Sequence, residues 1–372
     1  MTADTLCHTP YGDFQLQRYP SRQGEPLRAW CAADLLLLEE LYRRDIAGAD
    51  VLAVNDEHGA LCVALQARGL WTDSALSALA LTQNLAANQR IDVPITWSTV
   101  TPPPDATTVV MRVPKLLPYF EYQLAQLQRY FQPGTLVLAA GMDKHLSPRV
   151  AKLLETTIGP TERHPGQRKA RLFSARLEKH APQPLQKTAH YRCDVLDCEL
   201  EAMPNVFSQD KLDGGSRLLL QQLANIAPAD TLLDLACGNG VLGLAAFKQG
   251  LAKKVIFADE SAMALESARN NASRLFPRVP FEFHHGDALM NYSAAAADLI
   301  LCNPPFHLNH AVDEYAGRRL LSQCARHLQA GGRLCLVANQ HLDYMPSLKR
   351  NFSRVETLAR DRRFVVWLAR RD

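Results

Sequence analysis

The sequence reads as an α/β protein made of two tandem domains of one architecture, each a doubly wound, mostly parallel sheet. Three observations lead there. The 372 residues leave room for two cores at roughly 100–200 residues apiece. Short apolar runs alternate with helical patterns, punctuated by Gly, Asp and Pro. The pattern also occurs twice. TLLDLACGNGVLGLAA at 231–246 overlays DVLAVNDEHGALCVAL at 50–65 with a constant offset of 181, and Gly59 falls on Gly240. Further on, Trp71-Thr72-Asp73 aligns with Phe257-Ala258-Asp259, Asn84 with Asn270, and Met111-Arg112-Val113-Pro114 with Leu301-Cys302-Asn303-Pro304. The divide falls where Ala181-Pro182-Gln183-Pro184 marks a turn-rich connection, which gives domains 1–185 and 186–372.

The second copy gives its elements in order. The stretch 190–203 reads as an opening hairpin. Thr231 to Leu235 is a buried strand and Val241 to Lys248 a helix. Val255 to Ala258 is the second strand, ended by Asp259, and Ser261 caps a helix running to about Arg274. Phe281 to His284 alternates as a third strand before Gly286-Asp287. Ala297 to Cys302 is the fourth and runs into Asn303-Pro304-Pro305-Phe306. A helix spans roughly Asp313 to Gln329, Gly331-Gly332 turns into a strand from Arg333 to Ala338, and Phe364 to Leu368 is the last strand. A sheet of this kind binds ligands at its strand C-termini.

Composition narrows the class. At 47% apolar and 21% charged residues the chain is not largely disordered, and no run approaches the roughly 18 apolar residues of a membrane span. Nine scattered cysteines, with Cys193 and Cys198 the one close pair, outline neither a disulfide framework nor a metal site. Met1 to Pro20 carries no apolar signal core, so a cytoplasmic protein is expected. The net charge of +3 is too small to argue for nucleic acid. Its distribution says more: six basic residues between Arg163 and Lys179 face only Glu178, and eight between Lys349 and Arg371 face Glu356 and Asp361. Each run is either a solvated face or a phosphate contact.

The chemistry concentrates in the second copy. Cys237-Gly238-Asn239-Gly240-Val241-Leu242-Gly243 fits G-x-G-x-x-G between a strand and a helix, a loop that admits a dinucleotide or a nucleoside. Asp259, 19 residues past Gly240, stands where ribose hydroxyls are held. Asp287 ends the third strand and is positioned to accept from an adenine amine. Asp234, just before the loop, suits the ammonium end of a methionine moiety and would repel a pyrophosphate. The Asn303-Pro304-Pro305-Phe306 tetrad decides between these ligands. Two prolines remove two donors and stiffen the chain, leaving the Asn303 side-chain oxygen and the Pro304 carbonyl as acceptors. Such a pair takes both hydrogens of an exocyclic NH2, and Phe306 can stack on the base. Positioning and electrostatics then aim a poorly nucleophilic amine at a sulfonium methyl. The first copy lacks these features: Ala53 replaces Asp234, Glu57 replaces Gly238 and Val113 replaces Asn303. A side chain in place of Gly238 blocks close ligand approach.

With these residues the sequence resembles the class I S-adenosylmethionine methyltransferases acting on amino groups. Asn205-Val206-Phe207-Ser208 and Leu212-Asp213-Gly214-Gly215-Ser216-Arg217-Leu218-Leu219-Leu220 are similar to a segment of the rRNA guanine-N2 methyltransferases. With the N-terminal copy and Ala338-Asn339-Gln340-His341-Leu342-Asp343-Tyr344, the resemblance is strongest to the ribosomal RNA large subunit methyltransferase G family. Ala236 departs from it, standing where many relatives have Gly. The resemblance implies two tandem Rossmann-like class I methyltransferase domains, the N-terminal one degenerate and engaged in RNA recognition. It implies methylation of guanine N2 in 23S rRNA, naked or in a large-subunit precursor, without an obligate protein partner or a membrane. Asp234, Gly238, Asn239, Gly240, Asp259 and Asp287 would hold S-adenosylmethionine, with Phe207 and Ser208 closing over it. Asn303, Pro304 and Phe306 would hold the flipped guanine, a base taken out of its stack. His307 and His310 line the RNA entrance, since no acidic or cysteine partner completes a metal site. The alternatives are a 16S rRNA enzyme, an amino methyltransferase of DNA adenine or protein glutamine, an NAD-dependent oxidoreductase, and a non-catalytic RNA-binding module.

Overall fold

The computed structural model describes residues 3–178, 188–290, 292, 297–304 and 310–372, the side chains of 310–316 excepted. The chain forms two compact units, Met1–Lys187 and Thr188–Asp372.

The first unit opens with a hairpin, β1 (Leu6–Thr9) and β2 (Gly12–Gln15). It continues through α1 (Ala32–Arg43), β3 (Val51–Val54), α2 (Ala60–Leu65), β4 (Gly69–Thr72), α3 (Ala75–Ala87) and β5 (Ile95–Trp97). Then come β6 (Thr108–Arg112), α4 (Leu117–Tyr130), β7 (Leu136–Met142), α5 (Val150–Thr157), β8 (Thr161–Arg163) and β9 (Ala170–Arg176). The second unit repeats the plan. It has a hairpin, β10 (Ala189–Cys193) and β11 (Cys198–Ala202), then α6 (Gly214–Leu220), β12 (Ala229–Leu235), α7 (Val241–Lys248), β13 (Ala252–Asp259), α8 (Ala262–Leu275) and β14 (Glu282–His285). It ends with β15 (Ala297–Cys302), α9 (His310–His327), β16 (Leu328–Asn339), α10 (Met345–Asn351), β17 (Arg354–Arg360) and β18 (Phe364–Arg370).

Both sheets have seven strands in one order: β5-β4-β3-β6-β7-β9-β8 in the first and β14-β13-β12-β15-β16-β18-β17 in the second. Six strands of each run in one direction; β9 and β18 insert antiparallel. Strands β3 and β6 and the ends of β12 and β15 are almost wholly buried and read as continuous apolar runs, the mark of strands covered on both faces. Ser261 caps α8 through the Ala264 amide, as the sequence predicts, and Ser74 caps α3 through Ser77 in the same way.

The duplication reaches the backbone. Gly59 and Gly240, the N-caps of α2 and α7, have φ/ψ of 81/13 and 84/11. The residues just past β3 and β12, Asn55 and Ala236, are also left-handed, with φ of 58 and 56. Asn84 ties α3 to the backbone of Gln17 and to the His58 carbonyl. Asn271 ties α8 to the backbone of Glu201 and to the Asn239 carbonyl in the same manner.

That latch corrects the alignment of the copies. Asn84 matches Asn271, not Asn270. The registers agree, because Val54 pairs with Trp71 and Leu235 with Ala258. Trp71 therefore answers to Ala258, Thr72 to Asp259 and Asp73 to Glu260. The first copy therefore has Thr72, not an acid, at the end of its second strand, and Arg112, not Val113, in the place of Asn303, since Val54 pairs with Met111 as Leu235 pairs with Cys302. Four further elements differ from the sequence reading. The last parallel strand begins at Leu328 and carries Gly331-Gly332 within it, beside a register shift opposite Ala297 and Leu299. The helix before it starts earlier, at His310. Strand β17 and helix α10 were not read at all: β17 is an exposed edge strand, and α10, at seven residues, is too short for a period to show.

Candidate active site

The strand C-termini of the second unit gather the site. Leu235 pairs with Ala258 on one side and Cys302 on the other, so the loops after β12, β13 and β15 leave the sheet side by side. Asp259 pairs with His285, which brings the loop after β14 alongside.

Around the glycine loop each residue has a distinct task. Gly238 has a φ of +54, and a Cβ there would meet nothing nearer than Val206 Cγ1 at 4.0 Å. The loop is open where a ligand approaches. Gly240 and Gly243 are closed: a Cβ would fall 3.1 Å from Ala268 Cβ in one and 2.6 Å from Phe257 in the other. They let α7 lie against β13 and α8. The Asp259 carboxylate accepts from the Gly238 amide at 2.9 Å and from the Ser261 amide at 3.0 Å. It thereby fixes the loop and stands beside its open face. Asp234 is fully buried; Oδ2 accepts from the Gly243 amide at 2.7 Å, and Oδ1 has no hydrogen-bond partner among the described residues. Burial pushes its carboxyl up to about 8, and the Asp259 carboxylate adds to the shift.

Asp287 is buried where expected, but its oxygens are engaged. Arg319 of α9 grips the carboxylate with both terminal nitrogens, Nη1 reaching Oδ1 at 2.7 Å and Nη2 reaching Oδ2. Sequence reasoning missed this pair because Arg319 lies one helix and one strand away in the chain. The side chain of Asn239, expected at the cofactor, is engaged within the protein. Its Nδ2 donates to the Tyr191 hydroxyl at 3.1 Å and its backbone carbonyl takes Asn271, so the side chain anchors the loop to the hairpin. Phe207 is exposed and Ser208 takes a left-handed φ of 53. Their neighbour Val206 is buried against Gly238, which sets both beside the open loop.

Asn303 and Pro304 follow β15. Asn303 Nδ2 donates to Asp213 Oδ2 and to Ser216 Oγ, both at 2.9 Å. Its Oδ1 is buried and has no hydrogen-bond partner among the described residues. An unpaired buried acceptor is costly unless a ligand completes it. Asp213 and Ser216 belong to the N-cap and first turn of α6, so a segment 87–90 residues upstream orients the amide. The sequence quoted this segment as a motif but assigned it no role. Phe306 lies outside the described residues, as do Pro305 and His307.

In the first unit the same edge is sealed. Arg112, at the end of β6, meets the buried Asp34 of α1 at 2.6 Å. Asp56 is buried and accepts from the Cys62 amide at 2.8 Å, the place that Gly243 has in the other unit. A carboxylate from the loop has thus taken the position of the one lost from the strand. The exposed Glu57 stands where Gly238 leaves space.

Comparison with known proteins places the chain. The family model described as RLMG N-terminal domain matches residues 4–179, and that described as Methyltransferase small domain matches 197–368. A ribosomal RNA large subunit methyltransferase G of Alcanivorax borkumensis is 38% identical, over 98% of this chain and 96% of its own. Proteins of the same name from Stutzerimonas stutzeri and Pseudomonas aeruginosa are 39% identical over 97% of this chain and 98% of theirs. The chain belongs to the ribosomal RNA large subunit methyltransferase G family. Among solved structures, a T. thermophilus 16S rRNA N2 methyltransferase in complex with AdoMet and guanosine aligns with a TM-score of 0.77 at 20% identity, over 99% of this chain and 98% of that one. It shares the tandem methyltransferase fold, in which the first unit of this family member is the degenerate one. No described helix is long and apolar enough to cross a membrane.

The residues fit the family's cofactor, S-adenosylmethionine. The Gly238 cradle is open, Asp259 borders it, and Asp234 Oδ1, without a partner among the described residues, is an acceptor that an ammonium could complete, its charge favouring the ionised carboxylate.

Proposed function

We propose that this family member transfers a methyl group from S-adenosylmethionine to the exocyclic N2 amine of a guanine in 23S rRNA. The observation that carries the reading is the Asn303 amide: both hydrogens are committed to protein, and the oxygen is buried and free. An acceptor that lacks a partner, next to an open glycine loop, is what an amine donor would complete. S-adenosylmethionine supplies an electrophilic methyl on a sulfonium. When it is bound, the amine nitrogen would form the N–C bond as the C–S bond gives its electrons to sulfur, and the extra proton on nitrogen would leave to water. Asn303 Oδ1 holds one amine hydrogen and favours a pyramidal nitrogen. Asp234, Gly238, Gly240 and Asp259 hold the cofactor, and Asp287 borders the adenine side with its carboxylate fixed by Arg319. Phe207 and Ser208 lie beside the loop, positioned to close over it.

The large-subunit name carried by relatives at 38–39% identity favours 23S over 16S rRNA. We assign RNA recognition to the first unit, 1–185, and to the basic stretches of both units, which would grip phosphate and shape. Catalysis belongs to 186–372. Radiolabelled methyl transfer into naked 23S RNA, naked 16S RNA and assembled subunits tests the reading. Label in 23S RNA at guanine N2 is expected; label confined to 16S RNA, or at another atom, overturns it.

A further inference from the structure

We propose that Asp213 and Ser216 are positioning residues that set the polarity of the Asn303 amide and so make the corner select an amine hydrogen over a carbonyl edge. The inference rests on the amine-methylation reading above. A carboxamide can sit either way round, and in the wrong sense its NH2 would face the base and favour a carbonyl. Here both senses are not equal. One amide hydrogen goes to Asp213 Oδ2 and the other to Ser216 Oγ, which accounts for the full donor capacity of the NH2. A flip would turn the amide oxygen onto a carboxylate, acceptor against acceptor. Asp213 is itself held, since its Oδ2 also accepts from the Ser216 amide at 3.0 Å as the cap of α6. Gly215 lets this turn come close: a Cβ there would fall 3.1 Å from Asp213 Oδ2 and 3.4 Å from Asn303 Oδ1.

The carboxylate does more than orient. Its charge on the NH2 side polarises the amide and strengthens the oxygen as an acceptor. It also favours the positive charge that grows on the attacking nitrogen. The first unit provides an internal comparison. The registers put Arg112, not Val113, in the place of Asn303, because Val54 pairs with Met111 as Leu235 pairs with Cys302, and Arg112 meets Asp34 in the first turn of the matching helix. The clamp is present where Asn303 is present.

The test uses the full-length protein and Asp213→Asn, Ser216→Ala and Ser216→Thr. Three quantities are read: kcat and KM on 23S RNA, the dissociation constant for S-adenosylhomocysteine, and inhibition by guanosine against inosine, which lacks the 2-amino group. Expected is a kcat lowered roughly 10-fold or more in Asp213→Asn and Ser216→Ala, with S-adenosylhomocysteine affinity within about twofold of wild type. The preference for guanosine over inosine shrinks, and Ser216→Thr, which keeps the hydroxyl, restores both. Unchanged kcat in the first two variants overturns the proposal. So does a lower kcat with an unchanged guanosine preference, because a merely structural cap would give that. If Asp213→Asn does not fold, Ser216→Ala, which keeps the cap, decides alone. A wild-type protein that binds no S-adenosylhomocysteine and modifies no RNA would instead sink the function proposed above.

Discussion

Asn303 owes its role to what its neighbours deny it. With both amide hydrogens taken, one buried oxygen is left to meet a substrate. Asn303→Ala is therefore expected to lower methyl transfer by about 10²–10³-fold, the usual cost of one preorganised polar contact, while S-adenosylhomocysteine affinity in calorimetry stays near wild type. The two left-handed glycines separate stability from binding. Both substitutions by Ala carry the left-handed penalty of about 1–2 kcal/mol. In Gly240→Ala the new methyl also meets Ala268 at 3.1 Å, whereas in Gly238→Ala it enters open space. Gly240→Ala should show the larger fall in Tm, and Gly238→Ala the larger loss of cofactor affinity relative to its Tm change. Asp234 brings a pH dependence. Its folded carboxyl is raised to about 8 from an ordinary value near 3.8. Its favourable contribution is complete below the unfolded pKa and is lost as pH rises through the folded one, across about pH 4 to 8. Asp234→Asn keeps an oxygen for the Gly243 amide and removes the titration. Melting curves at pH 5 and pH 8 should then differ less in the variant than in wild type.

Helices reach the site by contacts that sequence spacing hides. Helix α9 brings Arg319 to Asp287, just past the end of β14. Asp287 is buried and Arg319 partly exposed, so removing one partner costs less than the roughly 3–5 kcal/mol of a fully buried pair. In a double-mutant cycle, Arg319→Ala and Asp287→Ala should each lower the Tm, and the double variant should lose less than the sum. Additive losses would show that the pair is not coupled. Helix α6 acts in the same fashion through its first turn. Its cap residues were legible as a motif, but nothing local says that the turn faces a loop some 90 residues later. Only sheet pairing of β12 with β15 and the packing of α6 bring them together.

Two units of one topology carry one set of the residues proposed to hold the cofactor. The first has Ala53, Glu57 and Thr72 at the positions of Asp234, Gly238 and Asp259, and its edge is closed by the Arg112–Asp34 pair. Calorimetry should find one S-adenosylhomocysteine bound per chain, and Glu57→Gly should leave that number unchanged. Two bound per chain would contradict the degeneracy of the first unit.

Periodicity was enough to read the central strands, the capped helices and the repeat, because burial on both faces imposes continuous apolar runs and caps need particular side chains. The glycine loop, its acids and the Asn-Pro-Pro-Phe tetrad were equally visible, since each rests on neighbours in the chain. The one-residue slip at Trp71 to Asp73, the turned side chain of Asn239, the grip of Arg319 and the clamp on Asn303 were not. Each depends on which partner a side chain meets across the sheet or from another helix, and that choice is made by packing between segments far apart in sequence.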